Sequence, residues 1–166
     1  MINFRKRHFL SQLTGLAVCS VANGVQARVT PSQSLGPFYP IKLPLDSNAD
    51  LTFVEGKKGT ASGHIVNLSG QVFSENGGFV PRALIEIWQC DAFGAYHHPR
   101  DGGGLDPFFQ GYGKAITDDE GRYRFRTIKP VAYPGRAPHI HLRISSNSKE
   151  LITQIYVRGN RENQND

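Results

Sequence analysis

From Gly63 onward, apolar and polar residues alternate in short runs separated by turn-forming residues. His64-Ile65-Val66-Asn67-Leu68 and Gly70-Gln71-Val72-Phe73 predict two short strands ahead of a turn at Glu75-Asn76-Gly77-Gly78. Ala83-Leu84-Ile85-Glu86-Ile87-Trp88 is a β-rich run bounded by Pro81 and by the Asp91–Gly94 stretch. A further strand candidate precedes the turn Asp118-Asp119-Glu120-Gly121, and Tyr123-Arg124-Phe125-Arg126-Thr127-Ile128 follows it with period-two alternation. Pro138–Ile144 and Leu151–Val157 complete the set. Short strands with turn signals between them predict an all-β fold, an antiparallel β-sandwich with long connecting loops. The pattern holds no long amphipathic helix and no internal repeat.

Two stretches break the alternation. Residues 28–62 are rich in Pro, Ser, Gly and Lys and read as an extended N-terminal arm with turns, leaving 63–166 as the core. Cys90 to about Gly113 is irregular and contains Gly102, Gly103, Gly104, Gly111 and Gly113. Loops of that length in compact domains are functional or disordered. Asp106-Pro107-Phe108-Phe109-Gln110 supplies aromatic surface to anchor this one, which favours function.

Charge changes the picture once the first residues are set apart. The 166 residues carry a formal +5 and are 39% hydrophobic and 20% charged, the composition of one globular domain. In residues 1–27, Arg5-Lys6-Arg7 precedes an apolar run from Phe9 to about Ala22, and Val25-Gln26-Ala27 offers small residues for cleavage. That is the layout of an export signal, too short for a membrane anchor. Lys6-Arg7-His8-Phe9-Leu10 is similar to a twin-arginine motif, with the Sec route as the alternative, so the expected destination is periplasmic or secreted. Removing three basic residues from +5 leaves +2, too little to draw a polyanion, which argues against a nucleic-acid partner. Cys90 is then the only cysteine, so no internal disulfide is expected.

The densest run of candidate ligands is Tyr133-Pro134-Gly135-Arg136-Ala137-Pro138-His139-Ile140-His141. On a strand, His139, His141 and Arg143 face one way and Ile140, Leu142 and Ile144 the other. Two imidazoles roughly 6.6 Å apart along a strand can converge on one ion held about 2 Å from each nitrogen. Tyr133 and Arg136 precede them closely enough to reach the same spot. An H-x-H pair alone is equally a polar strand face, Tyr133 alone a packed aromatic, and Arg136 alone a solvated charge. Trp88 reads as core, and His97 and His98 as surface histidines close to a pocket mouth; His64 is unassigned.

A second segment, Ile85-Glu86-Ile87-Trp88-Gln89-Cys90-Asp91-Ala92-Phe93-Gly94-Ala95-Tyr96-His97-His98, changes those odds. Together with Tyr133–His141 it resembles the intradiol ring-cleavage dioxygenases, the family of protocatechuate 3,4-dioxygenase. Thr30–Pro40, Thr117–Pro130 and Leu151–Tyr156 extend the resemblance, in order, over about residues 30–157. It implies a non-haem Fe(III) held by Tyr96 and His141 in one plane, with Tyr133 and His139 above and below. It further implies a small-molecule catechol-type substrate and O2, with Tyr133 displaced as the diol binds and taking a proton. Arg136 would stabilise the substrate's charge, and Gln154 would stand behind the site. Phenolates and imidazoles favour Fe(III), whereas Fe(II) is expected with two histidines and a carboxylate.

The chain also departs from that pattern. No helical N-terminal domain of the catechol type is present, and Gly135 stands where protocatechuate enzymes carry a larger aromatic. One chain carries both an arm and the ligands, which suggests a homo-oligomer whose arm lines its own or a neighbour's pocket. The sequence stops at Asp166, where relatives continue with further strands, so a short natural form and a truncated one are both open. Two other readings remain. One is a non-catalytic secreted β-sandwich binding module, transthyretin-like or carboxypeptidase-regulatory-like. The other is a zinc hydrolase using His139 and His141, for which no general-base carboxylate accompanies the pair.

Overall fold

The computed structural model describes residues 29–164 and residue 166; the expected export signal over 1–27 lies outside them. Six strands follow one another: β1 (Ile65–Gln71), β2 (Leu84–Trp88), β3 (Tyr112–Ile116), β4 (Arg122–Ile128), β5 (His139–Ser146) and β6 (Lys149–Tyr156), then a 3₁₀ turn at Arg161–Gln164. β1 pairs with β4, and β3-β2-β5-β6 form a second sheet. Every strand pairing in both sheets is antiparallel.

Alternation decides which face each strand buries. Tyr123 and Phe125 of β4 point inward between exposed Arg122, Arg124 and Arg126. They meet Leu68 of β1, Ile85 and Ile87 of β2, and Ile140 and Leu142 of β5 in one apolar cluster. Both sheets therefore close on a shared core, the expected β-sandwich arrangement. Each fully buried aliphatic there contributes about 1.5–3 kcal/mol.

The structure differs from the sequence reading in three places. The two short strands before Glu75 are one strand, β1, continued through Gly70. A Cβ on Gly70 would lie 2.4 Å from the hydroxyl of Tyr123, its direct cross-strand partner, so the glycine admits that ring rather than ending the strand. The irregular stretch ends at Tyr112, where β3 begins. The N-terminal arm is also fastened to the body. Leu51 is fully buried in the core, Asp50 bridges Arg126 of β4, and Gln33 N–H donates to Ile152 O of β6 (2.8 Å).

Candidate metal centre

The second face of the four-stranded sheet carries different chemistry. Register sets Tyr112, Trp88, His141 and Gln154 in one row across β3, β2, β5 and β6. Glu86 and Arg143 occupy the row beside it, and His139 lies opposite Tyr156. The faces of β5 divide as the alternation requires, and both are buried, His139 and His141 being each 1% exposed.

Two loops bring phenols over this face. Arg136 N–H donates to Tyr133 O (2.9 Å) across Pro134-Gly135, with Gly135 at φ 80°. A proline followed by a residue of positive φ fits a type II turn, and it sets Tyr133 and Arg136 side by side. In the 90–98 loop, the buried Asp91 carboxylate accepts the N–H groups of Phe93 (2.9 Å), Ala95 (3.0 Å) and Asp106 (2.9 Å). Tyr96 N–H donates to Asp101 (2.9 Å). Carboxylates that accept several backbone amides in this way fix the path of a loop.

Tyr96, Tyr133, His139 and His141 come together. His139 Nε2 is 3.2 Å from His141 Nε2 and 3.4 Å from Tyr96 Oη. The Tyr133 ring stands edge-on to Tyr96 at 5.6 Å and tilted to His139 at 5.6 Å. His139 Nδ1–H donates to Ala137 O (2.7 Å), which leaves its Nε2 lone pair bare. His141 is fixed differently: its ring stacks on Trp88 at 4.8 Å and 5°, and its buried Nδ1 has no hydrogen-bond partner.

Burial, then the neighbouring His139, lowers the His141 pKa to about 3, and burial likewise lowers that of His139. Burial foremost raises the pKa of Tyr96 and Tyr133. Without a cation all four groups are held neutral, with imidazole nitrogens crowded on one point. A bound cation removes that crowding and inverts the cost of ionising the phenols. Among the described residues no group of three or more His, Cys, Asp or Glu side chains could hold a metal. Two imidazoles supplemented by two phenols are the donor set on offer, and it fits a hard ferric ion.

Arg136 is not a loose surface charge. It donates to Gln154 Oε1 (2.7 Å), lies 3.5 Å from Tyr133 Oη, and pairs with Asp166 through Nε. Tyr156 Oη donates to the same Gln154 oxygen (3.0 Å). Gly135 has no atom within 4 Å of where a Cβ would sit, so space remains open there.

Other expectations need correction. His98 is 7% exposed rather than on the surface, with Phe38 edge-on to its ring at 5.8 Å. His97 is half-buried against Phe109. Trp88 is buried in a core cluster as expected, and the structure adds that this cluster is the one of the site aromatics. Sequence reasoning gave no site role to Phe38, which stacks on Tyr96 at 4.5 Å and 16°, so the arm lies over the chain's own site. It also missed Glu86, whose place on the Trp88 face was readable from the alternation of β2.

Known proteins resemble this chain along most of its length. The family model described as Dioxygenase matches residues 35–166. The protocatechuate 3,4-dioxygenase beta chain of Burkholderia cepacia is 42% identical over 127 residues, covering 70% of this chain and 53% of that protein. Catechol 1,2-dioxygenase of Candida albicans is 33% identical over 150 residues, covering 79% of this chain and 48% of that one. Among solved structures, the dioxygenase domain of a dioxygenase carbohydrate-binding protein fusion from the cellulolytic bacterium Streptomyces sp. SirexAA-E superimposes with a TM-score of 0.63. It is 29% identical, with 81% of this chain and 79% of that one covered. The chain spans about half the length of the curated relatives it matches.

Proposed function

We propose that this chain, which belongs to the intradiol ring-cleavage dioxygenase family, inserts both atoms of O2 into a catechol-type diol. The ring opens between the hydroxylated carbons to give a muconate-type diacid. The observation that carries the reading is the convergence of Tyr96, Tyr133, His139 and His141 over one face of the four-stranded sheet. These four residues would hold Fe(III), which when bound supplies the acidity that ionises phenol and diol and prepares the ring for O2.

The remaining chemistry falls to the chain itself. Ala137 O holds the proton on His139 Nδ1 and keeps Nε2 free as a donor atom. Tyr133 Oη takes the proton of an incoming diol hydroxyl, a general-base role. Arg136, aimed by Gln154 and Asp166, stands beside that oxygen and stabilises negative charge arising there. Phe38 and Trp88 cover the donors and exclude water. The diols to test first are protocatechuate and catechol, named for the relatives.

The test is the visible absorption of the iron-loaded chain, before and after catechol is added without oxygen. A tyrosinate-to-iron charge-transfer band that shifts with catechol is the expected result. A colourless protein that retains no iron would overturn the reading in favour of a binding module. Export through residues 1–27 belongs to the same proposal; exported protein should begin at Arg28, which intact mass measurement would read directly.

A further inference from the structure

One carboxylate on the site face is used by none of the chemistry above. Glu86 is 3% exposed and points to the same side of β2 as Trp88. Its Oε1 accepts the hydroxyls of Tyr112 (2.6 Å) and Tyr39 (2.8 Å). Its Oε2 lies 3.4 Å from Arg143 Nη1, which also donates to Tyr39 Oη (3.1 Å). A buried carboxylate persists only with partners of this kind. Tyr112 and Arg143 come from the adjoining strands β3 and β5. Tyr39 alone comes from outside the sheet.

What Tyr39 brings with it makes the contact functional. Its ring stands edge-on to Trp88 (5.0 Å, 85°), the same indole that stacks on His141. One residue earlier, Phe38 stacks on Tyr96. At Gly36 (φ +76°) a Cβ would lie 3.2 Å from His141 Cε1, so the backbone itself rests against that imidazole. Upstream, the arm is tied to the edge of β6 by the Gln33–Ile152 bond. Between these two attachments the arm passes over His141 and Tyr96, where Gly36, Phe38 and the packed side chain of Leu35 lie.

We propose that Glu86 is a positioning residue, the buried anchor that latches the N-terminal arm over the site through Tyr39. In this role it sets Gly36 against His141 and Phe38 against Tyr96 without touching substrate. The latch follows from the contacts alone, and its main readout needs neither iron nor a diol. Its failure is therefore separable from failure of the ring-cleavage reading.

The test uses Trp88, the single tryptophan of the chain, as a reporter under the arm. Acrylamide quenching of its fluorescence would be measured on the full metal-free chain, excited where tyrosine does not absorb. In the wild type Trp88 should resist quenching. In Tyr39→Phe and Glu86→Gln the latch is broken, and the quenching constant should rise several-fold. Tyr112→Phe removes a hydroxyl from the same carboxylate but keeps the ring that stands edge-on to Tyr39 (6.3 Å) and leaves the Tyr39–Glu86 bond in place, so Trp88 should stay shielded even as stability falls. In the iron-loaded protein, Tyr39→Phe should raise KM for catechol more than it lowers kcat. Tyr39→Phe leaves the carboxylate and its sheet partners in place, so it reports even if Glu86→Gln does not fold. Wild-type shielding of Trp88 in Tyr39→Phe, or equal exposure in Tyr112→Phe, would overturn the latch.

Discussion

The same strands build two interiors of opposite character. Between the sheets, Ile85, Ile87, Phe109, Phe125, Ile140 and Leu142 bury apolar surface with almost no polar obligation. On the other face of β2 and β5, Trp88, Cys90, Tyr96 and Tyr112 gather with Phe38, Tyr39 and Tyr133 around the two histidines. Both interiors have fully buried centres, and the second leaves Trp88 Nε1 and His141 Nδ1 buried without partners. Each such atom costs about 1–3 kcal/mol. The first interior is what burial alone produces, and it stabilises the fold. The second carries a standing cost that stability of the fold does not explain.

The sharpest way to separate them is to damage one at a time. His139→Ala should abolish iron retention and the visible band while leaving a folded protein, since it removes a polar group from a place where burial is unfavourable. Metal analysis beside a thermal melt checks both halves. Ile87→Ala should do the reverse. It should cost about 2–5 kcal/mol in urea unfolding, while the molecules that remain folded keep their iron. Loss of both properties in both variants would mean that the two interiors are a single unit. A smaller effect lies at the seam between arm and site. Gly36→Ala forces a side chain into a left-handed conformation beside His141, and should cost about 1–2 kcal/mol. Because the clash is with His141, iron affinity should fall in parallel, measurable by chelator competition.

The first interior was largely legible in the sequence and the second only in outline. Period-two alternation is local, so it put Tyr123 and Phe125 on one face of their strand and set Ile140 and Leu142 opposite His139, His141 and Arg143. Gly70 misled because a glycine marks either a break or a close approach, and only the Tyr123 ring opposite decides which. Trp88 is core as its hydrophobicity predicts, but hydrophobicity does not say which of two interiors a side chain joins. Its phase relative to Ile85 and Ile87 does. Tyr133 stands out by its place just ahead of His139 and His141, whereas Tyr96 emerges only through resemblance, since nothing local brings a residue of the separate 90–98 loop to that point. The Glu86–Tyr39 contact, spanning 47 residues, has no local signal at all.

The smallest expected effect concerns a residue that ties the two interiors together. Asp106 is 4% exposed, and its N–H donates to Asp91, the carboxylate that shapes the Tyr96 loop. Its own carboxylate accepts from Ser62 of the arm (2.7 Å) and from Phe108 (2.9 Å), next to the core residue Phe109. Burial pushes its pKa up, but the amide bonds from Phe108 and Ser62 outweigh burial and hold it below the ordinary 3.8. The unfolded chain therefore takes up this proton first as pH falls. The contribution to stability is complete above the ordinary value and is lost as pH drops through the folded one. Asp106→Asn should thus cost about 1 kcal/mol near neutrality, and the gap from wild type should shrink at a pH well below the ordinary 3.8. Urea unfolding at both pH values measures it. A gap of constant size would mean that the shape of the side chain, rather than its charge, joins the arm and the Tyr96 loop to the core.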